Sequence, residues 1–167
     1  MNKISIFQFV LFIVPLLLLY GCYTFQDAST EGLNSAHVEF FPNQAEIINP
    51  TLSQAFTERL KNKILSESTL KLRNENPDVT FKGAIIQYNT QPIAASSSET
   101  SSLTRLTIGV RVDFIHNLDE KKSWTSTFTQ FEDFNSNVNF SAVEQSLVTQ
   151  INEKLVDEIF KRAFVNW

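Results

Sequence analysis

The sequence predicts an α+β domain in which two helices pack on one face of a four-stranded mixed or antiparallel sheet, in the order β-α-β-β-β-α. Three patterns carry that expectation. Leu106, Ile108, Val110, Val112 and Phe114 alternate without a miss, as a strand with one buried face requires. Val143, Leu147, Val148, Ile151, Leu155, Ile159 and Phe160 recur at three- and four-residue steps, as one stripe of a helix requires. A second, weaker helical stripe lies upstream, between two short segments of period two.

Residues 22–34 are polar and without period, and read as a tether ahead of a single domain over 35–167. Ala36, Val38 and Phe40 alternate with His37, Glu39 and Phe41 up to Pro42-Asn43, which predicts the first strand, with Phe41 opposite the Ala36 face. Asn49-Pro50 is a helix start, because asparagine can accept from free backbone donors and proline is tolerated in the first turn. The helix should reach about Ser66, with Leu52, Ala55, Phe56, Leu60, Ile64 and Leu65 inward and Glu58, Arg59, Lys61 and Lys63 outward.

Val79, Phe81 and Ile85 mark a second strand over about 78–89, with Gly83 at a bulge or a point of close packing. Pro92 and a run of serines then predict an exposed connection over 90–102. The third strand carries Arg105, Thr107, Gly109, Arg111 and Asp113 on the face away from the core. His116 to Lys122 should turn the chain into a fourth strand from Trp124, with Thr125, Thr127 and Thr129 sharing one face. Ser141 and Glu144 have the spacing of a reciprocal capping box at the start of a helix that runs to about Phe164.

Ahead of this domain stands a leader. Lys3 is followed by an apolar run from Ile4 to Leu19 that Pro15 interrupts, shorter than a membrane-spanning helix needs, so 1–21 is expected to be a signal peptide. It ends at Leu19-Tyr20-Gly21-Cys22, where a small residue precedes the chain's one cysteine. That pattern resembles a bacterial lipoprotein cleavage site. Cys22 is then the lipidation residue, its thiol taking a diacylglyceryl group and its freed amine a further acyl chain such as palmitate; together these chains hold firmly in a bilayer. No aspartate follows Cys22, so the expected address is the periplasmic side of the outer membrane.

Composition narrows the function. After Gly21 there are 13 basic and 18 acidic residues, a net charge of −5, without a Lys/Arg run, which argues against nucleic acid as a partner. One cysteine excludes a disulfide framework and a cysteine-based zinc site. His37 and His116 have no third ligand spaced near them, and none of the four glycines forms a phosphate-cradling loop. The serines of 90–102 have no histidine beside them, and the pairs Asp119-Glu120 and Glu132-Asp133 read as solvated carboxylates. The expectation is a protein without catalysis, metal or cofactor.

Several stretches resemble one family. These are Tyr20-Gly21-Cys22-Tyr23-Thr24-Phe25, Phe40-Phe41-Pro42-Asn43, Ile48-Asn49-Pro50-Thr51-Leu52-Ser53-Gln54-Ala55-Phe56-Thr57-Glu58, Leu103-Thr104-Arg105-Leu106-Thr107-Ile108 and the closing Ala163-Phe164-Val165-Asn166-Trp167. Together they resemble the LptE lipopolysaccharide-assembly lipoproteins, in the form found in Bacteroidota, over nearly the whole chain. The resemblance implies an outer-membrane lipoprotein that plugs the lumen of a large LptD-like β-barrel and helps lipopolysaccharide reach the outer leaflet. A plug must be polar outside, because a wide barrel is lined by polar side chains. Lipopolysaccharide carries phosphates, so cations beside apolar surface should meet it; Lys82, Arg105 and Arg111 are the candidates, Arg105 and Arg111 sharing a strand face with Lys82 on the neighbouring strand. Two rival readings are an auxiliary lipoprotein of an envelope phospholipid-transport system and a glycan hydrolase using two carboxylates, for which no suitable spacing is present.

Overall fold

In the computed structural model the described residues are 30, 32–93 and 102–165. The leader 1–21, Cys22, nearly all of the tether segment, the serine-rich stretch 94–101 and the closing Asn166-Trp167 lie outside them. The elements are β1 (Ser35–Val38), α1 (Leu52–Glu67), β2 (Lys71–Leu72), β3 (Val79–Ile93), β4 (Leu103–His116), β5 (Trp124–Asn135) and α2 (Phe140–Phe164), with a single 3-10 turn at Glu120–Lys122. The sheet order is β2-β1-β3-β4-β5. β1 runs parallel to both neighbours, and β3, β4 and β5 are antiparallel, so the sheet is mixed.

The class is as expected, but the sheet has five strands rather than four. The additional strand, β2, is two residues long: Lys71 and Leu72 pair with Ser35 and Ala36, and the Arg73 N–H donates to the Ala36 carbonyl. Two residues offer no periodicity to read.

β1 stops sooner than its alternation suggests. The Glu39 N–H still donates to the Phe81 carbonyl, but the Phe41 N–H donates to Thr57 Oγ1 at 3.1 Å, and Thr57 Oγ1 in turn donates to the Ser53 carbonyl at 2.7 Å. This side-chain acceptor on α1 rotates the chain out of the strand. Phe41 is therefore fully buried, edge-on to Phe56 at 5.1 Å between ring centroids, while Phe40 is 61% exposed, the reverse of the expected facing. The chain touches the sheet once more, at Asn43 beside Ile85.

α1 starts later than Asn49-Pro50 suggests: Thr51 is its N-cap and makes no side-chain cap bond, while Asn49 Oδ1 accepts from the Thr51 N–H and hydroxyl at 3.0 Å each, turning the chain just ahead of the helix. The inward face is Leu52, Ser53, Phe56, Thr57, Leu60 and Ile64. Ala55 and Leu65, expected inside, are exposed.

β3 extends past its expected end: Thr90 to Ile93 pair with Leu106 to Leu103, so the hairpin takes in the first four residues of the connection expected over 90–102. Gly83 is the point of close packing, with φ +155°, and the bulge lies further on, between Ile85 and Gln87. β4 buries Leu106, Ile108, Val110, Val112 and Phe114 as its alternation requires. His116, expected in a turn, ends β4 instead; its Nδ1 accepts from the Asp119 N–H at 2.9 Å.

The capping box on α2 is absent. Asn139 Oδ1 accepts from the Ser141 N–H at 3.0 Å, so the helix begins at Phe140, and Glu144 is drawn elsewhere. Both helices cover the same sheet face, α2 on β4 and β5 and α1 against α2 and β1. Phe81, Phe114 and Phe164 meet in the core between them.

The folded part takes in residues just before β1. Leu33 is buried, and the backbone N–H groups of Asn34 and Ser35 donate to Asp78 Oδ2 at 2.7 and 2.9 Å. The Asn34 N–H bond, with those from Ser35, holds the Asp78 carboxyl below its ordinary value of 3.8. A depressed folded value adds stability above the unfolded value, lost as pH falls through the folded one. Acid denaturation monitored by circular dichroism should therefore show a weaker dependence on pH below 4 in Asp78→Asn than in the parent chain; superimposable acid limbs would contradict this.

Candidate functional site

With both helices on one side, the other face of the sheet is open. The ladder fixes what it presents. Lys82 pairs with Asp113, Ala84 with Arg111, Gln87 with Gly109, Asn89 with Thr107 and Gln91 with Arg105 across β3 and β4. Across β4 and β5, Asp113 pairs with Thr125, Arg111 with Thr127, Gly109 with Thr129, Thr107 with Phe131 and Arg105 with Asp133. Thr125, Thr127 and Thr129 are all exposed, as expected. Between these pairs the face is mostly hydroxyl, amide and charge; its apolar members are Phe131 on β5, 42% exposed, Ile115 opposite Thr80 at one end and Leu103 opposite Ile93 at the other.

The three expected cations share this face but form two groups. Lys82 stands diagonally beside Arg111, since Arg111 lies two positions from the residue opposite Lys82. Neither has an ion-pair partner among the described residues within 4.0 Å, and the adjacent Asp113 carboxylate accepts from Thr125 Oγ1 at 2.7 Å. Arg105 is six positions further along β4, roughly 20 Å away at the rise of a strand. Its guanidinium grips Asp133 in a two-point bond, Nε to Oδ1 at 2.7 Å and Nη2 to Oδ2 at 2.9 Å, and lies 3.6 Å above the Phe131 ring. The Arg105 bond holds the Asp133 carboxyl below the usual carboxylate range, and the same bond raises the guanidinium. Arg105 is therefore an internal partner of β5, whereas Lys82 and Arg111 have no ion-pair partner among the described residues.

A second constellation was not foreseen. Glu144 Oε1 accepts from Tyr88 Oη at 2.5 Å and from Asn49 Nδ2 at 2.8 Å, binding α2, β3 and the approach to α1 at one end of the molecule. Burial, then the Glu144 carboxylate, pushes the Tyr88 phenol well above its ordinary range, so the hydroxyl is the donor. Its neighbours Ile47 and Ile48 are 54% and 68% exposed and line a hollow of about 420 Å³. Its polar groups are engaged with one another, which makes it a tie between elements.

On the helix side, a groove of about 560 Å³ runs between α1 and α2, crossed by ion pairs of Arg59 with Glu153 at 3.7 Å and of Lys63 with Asp157. Lys63 also meets Glu67 at 2.7 Å. Exposed pairs of this kind add little stability. Among the described residues no helix is long and apolar enough to cross a membrane, and no group of three or more His, Cys, Asp or Glu side chains is placed to hold a metal ion. Cys22 lies outside the described residues, so the expected anchor has no geometry to report.

Comparison with known proteins gives one family and one fold. The model of the LptE family, described as lipopolysaccharide-assembly, matches residues 33–163. Among solved structures, a minor lipoprotein from Acinetobacter baumannii is similar with a TM-score of 0.53 at 12% identity, over 78% of this chain and 91% of that one. The solution structure of lipoprotein B from Nitrosomonas europaea gives 0.51 at 13% identity, over 77% and 81%. At such identities these likenesses concern the fold. No curated protein sequence matches.

Proposed function

The chain belongs to the LptE lipopolysaccharide-assembly family, and from that membership we propose that it is the lipid-anchored plug subunit of an outer-membrane lipopolysaccharide translocon. In this reading residues 1–21 are removed, Cys22 is acylated, the polar stretch from there to the buried Leu33 tethers the domain to the periplasmic side of the outer membrane, and the domain sits within an LptD-like β-barrel. There it supports both assembly of the barrel and passage of lipopolysaccharide to the outer leaflet. Its work is binding, without catalysis or cofactor.

The observation that carries this reading is the uncovered polar sheet face. A face of threonine, amide and paired charge gives a wide barrel's polar lining hydrogen-bond partners at little desolvation cost. On that face Lys82 and Arg111 supply two adjacent donors that no carboxylate among the described residues approaches within ion-pair distance, an arrangement suited to a phosphate group on lipopolysaccharide. Arg105, already saturated by Asp133, is assigned to holding β5 against β4.

Binding of lipopolysaccharide to the purified full chain tests the assignment. Lys82→Gln with Arg111→Gln should weaken binding roughly tenfold in low salt, with the difference from the parent shrinking as ionic strength rises. Arg105→Gln should lower stability more than it lowers binding. Unchanged binding in the double variant would remove Lys82 and Arg111 from the contact.

A further inference from the structure

One buried side-chain acceptor among the described residues has no donor: Oδ1 of Asn152, a residue 2% exposed. An acceptor shut away from water without a donor carries the full cost of its desolvation, and an apolar side chain of similar size avoids that cost. Asn152 lies on α2 in the floor of the groove between the two helices, with the buried Val148 and Val156 on either side of it along the helix. α1 and α2 run parallel here: Asn49 meets Glu144, Arg59 meets Glu153 and Lys63 meets Asp157, in the same order along both segments.

The walls of the groove are unbalanced in charge. Glu58, Glu67, Glu153 and Asp157 stand against Arg59 and Lys63, and Lys63 is shared between Glu67 and Asp157. One residue beyond Asn152, the pair of Glu153 with Arg59 is long, at 3.7 Å, and its side chains are exposed, so it parts at little cost.

We propose that this groove seats an extended, cationic peptide segment of the barrel partner, a loop folded into the lumen, with the Asn152 amide bonding the loop's backbone and the surplus carboxylates its Lys or Arg side chains. The assignment rests on the plug reading and extends it to the helix side of the domain. A carboxamide is the side-chain counterpart of a peptide group, with an acceptor for an N–H and donors for a C=O. The N–H it meets must be free. Residues inside a helix and strands in a barrel wall pair theirs already, whereas an extended loop has them to offer. The surplus of negative charge repels a phosphate, and charged walls would lose their water against an acyl chain without gaining a partner. The lining runs along α1 from Ala55 to Glu67, ~18 Å at the rise of a helix, which holds about five residues of extended chain.

The test uses the full chain in living cells. A photo-reactive amino acid at Thr149, exposed at the groove, should join the chain to a β-barrel protein, and mass spectrometry of the adduct should place the link in a barrel loop that carries Lys or Arg. Asn152→Leu should lower the yield of this adduct about tenfold, while the Tm of the purified chain stays level or rises because the unmet acceptor is gone. Ala55→Trp, which fills the groove from an exposed position, should lower it likewise. A barrel adduct formed from Thr107, on the open sheet face, should persist in both variants. Thr149 adducts that either variant leaves unchanged, that map to wall strands or that carry a glycan in place of a peptide overturn the proposal, as does a clear fall in Tm for Asn152→Leu. Loss of the barrel adduct at Thr149 alone in the parent chain overturns the groove assignment and leaves the plug reading standing; loss at both positions overturns both.

Discussion

Replacing Gly83 by alanine is expected to cost roughly 2–4 kcal/mol, a large part of the stability of a domain this size. Two effects add. The backbone at Gly83 has φ +155°, a region that residues with a side chain rarely adopt. A methyl group there would stand 2.0 Å from the Arg111 carbonyl oxygen and 2.9 Å from the Phe41 ring. The carbonyl belongs to the β3–β4 ladder beside Val112, so relief requires those strands to part. Phe41 is fully buried against Phe56, so it has nowhere to retreat. Urea unfolding should show the midpoint fall steeply in Gly83→Ala, whereas Gly32→Ala, where the position is open, should cost less than half as much. Equal midpoints for Gly83→Ala and the parent chain would contradict the packing described.

Phe114→Ala should be the largest of the core truncations, at about 3–5 kcal/mol. Phe114 is 1% exposed and is the ring on which the others converge: Phe81 at 5.0 Å and Phe164 at 6.1 Å edge-on, Trp124 stacked at 5.3 Å. Its removal leaves a cavity at the junction of β3, β4, β5 and α2, which a rigid sheet cannot close. Phe114→Leu, which refills most of the volume, should recover more than half of the loss in the same urea experiment. A cost for Phe114→Ala below about 1 kcal/mol would show that these rings do not form the centre of the core.

These two positions differ in how far the sequence discloses them. Phe114 closes a flawless alternation, and its burial follows from period two alone; the α2 stripe is legible for the same reason, because long periodic segments average out local exceptions. Gly83 is marked only as unusual, and the choice between bulge and close approach depends on a carbonyl 28 positions later in the chain. The end of β1 was hidden because Phe40 and Phe41 are both apolar and the decision is made by the Thr57 hydroxyl on another element. Glu144 has the spacing of a capping partner, yet Tyr88 and Asn49, 56 and 95 positions away, claim it.

The site was legible in part. Alternation places Lys82, Arg105 and Arg111 on one face, and the ladder agrees. What alternation omits is distance along a strand and the identity of the cross-strand neighbour. Those two quantities separate Arg105 from Lys82 and Arg111 and give it to Asp133. Asp133, read alone, is a solvated carboxylate beside Glu132; in register it is the partner that takes one of the three candidate cations out of play.

The proposed role depends on the open sheet face meeting the inside of a barrel. A photo-reactive amino acid at Thr107, in the middle of that face and opposite Asn89 and Phe131, tests this in living cells. Irradiation should join the chain to one outer-membrane β-barrel protein, in an adduct whose barrel partner keeps the heat-sensitive mobility of a folded barrel. Adducts confined to components of an inner-membrane transporter, with no barrel among them, would contradict the account.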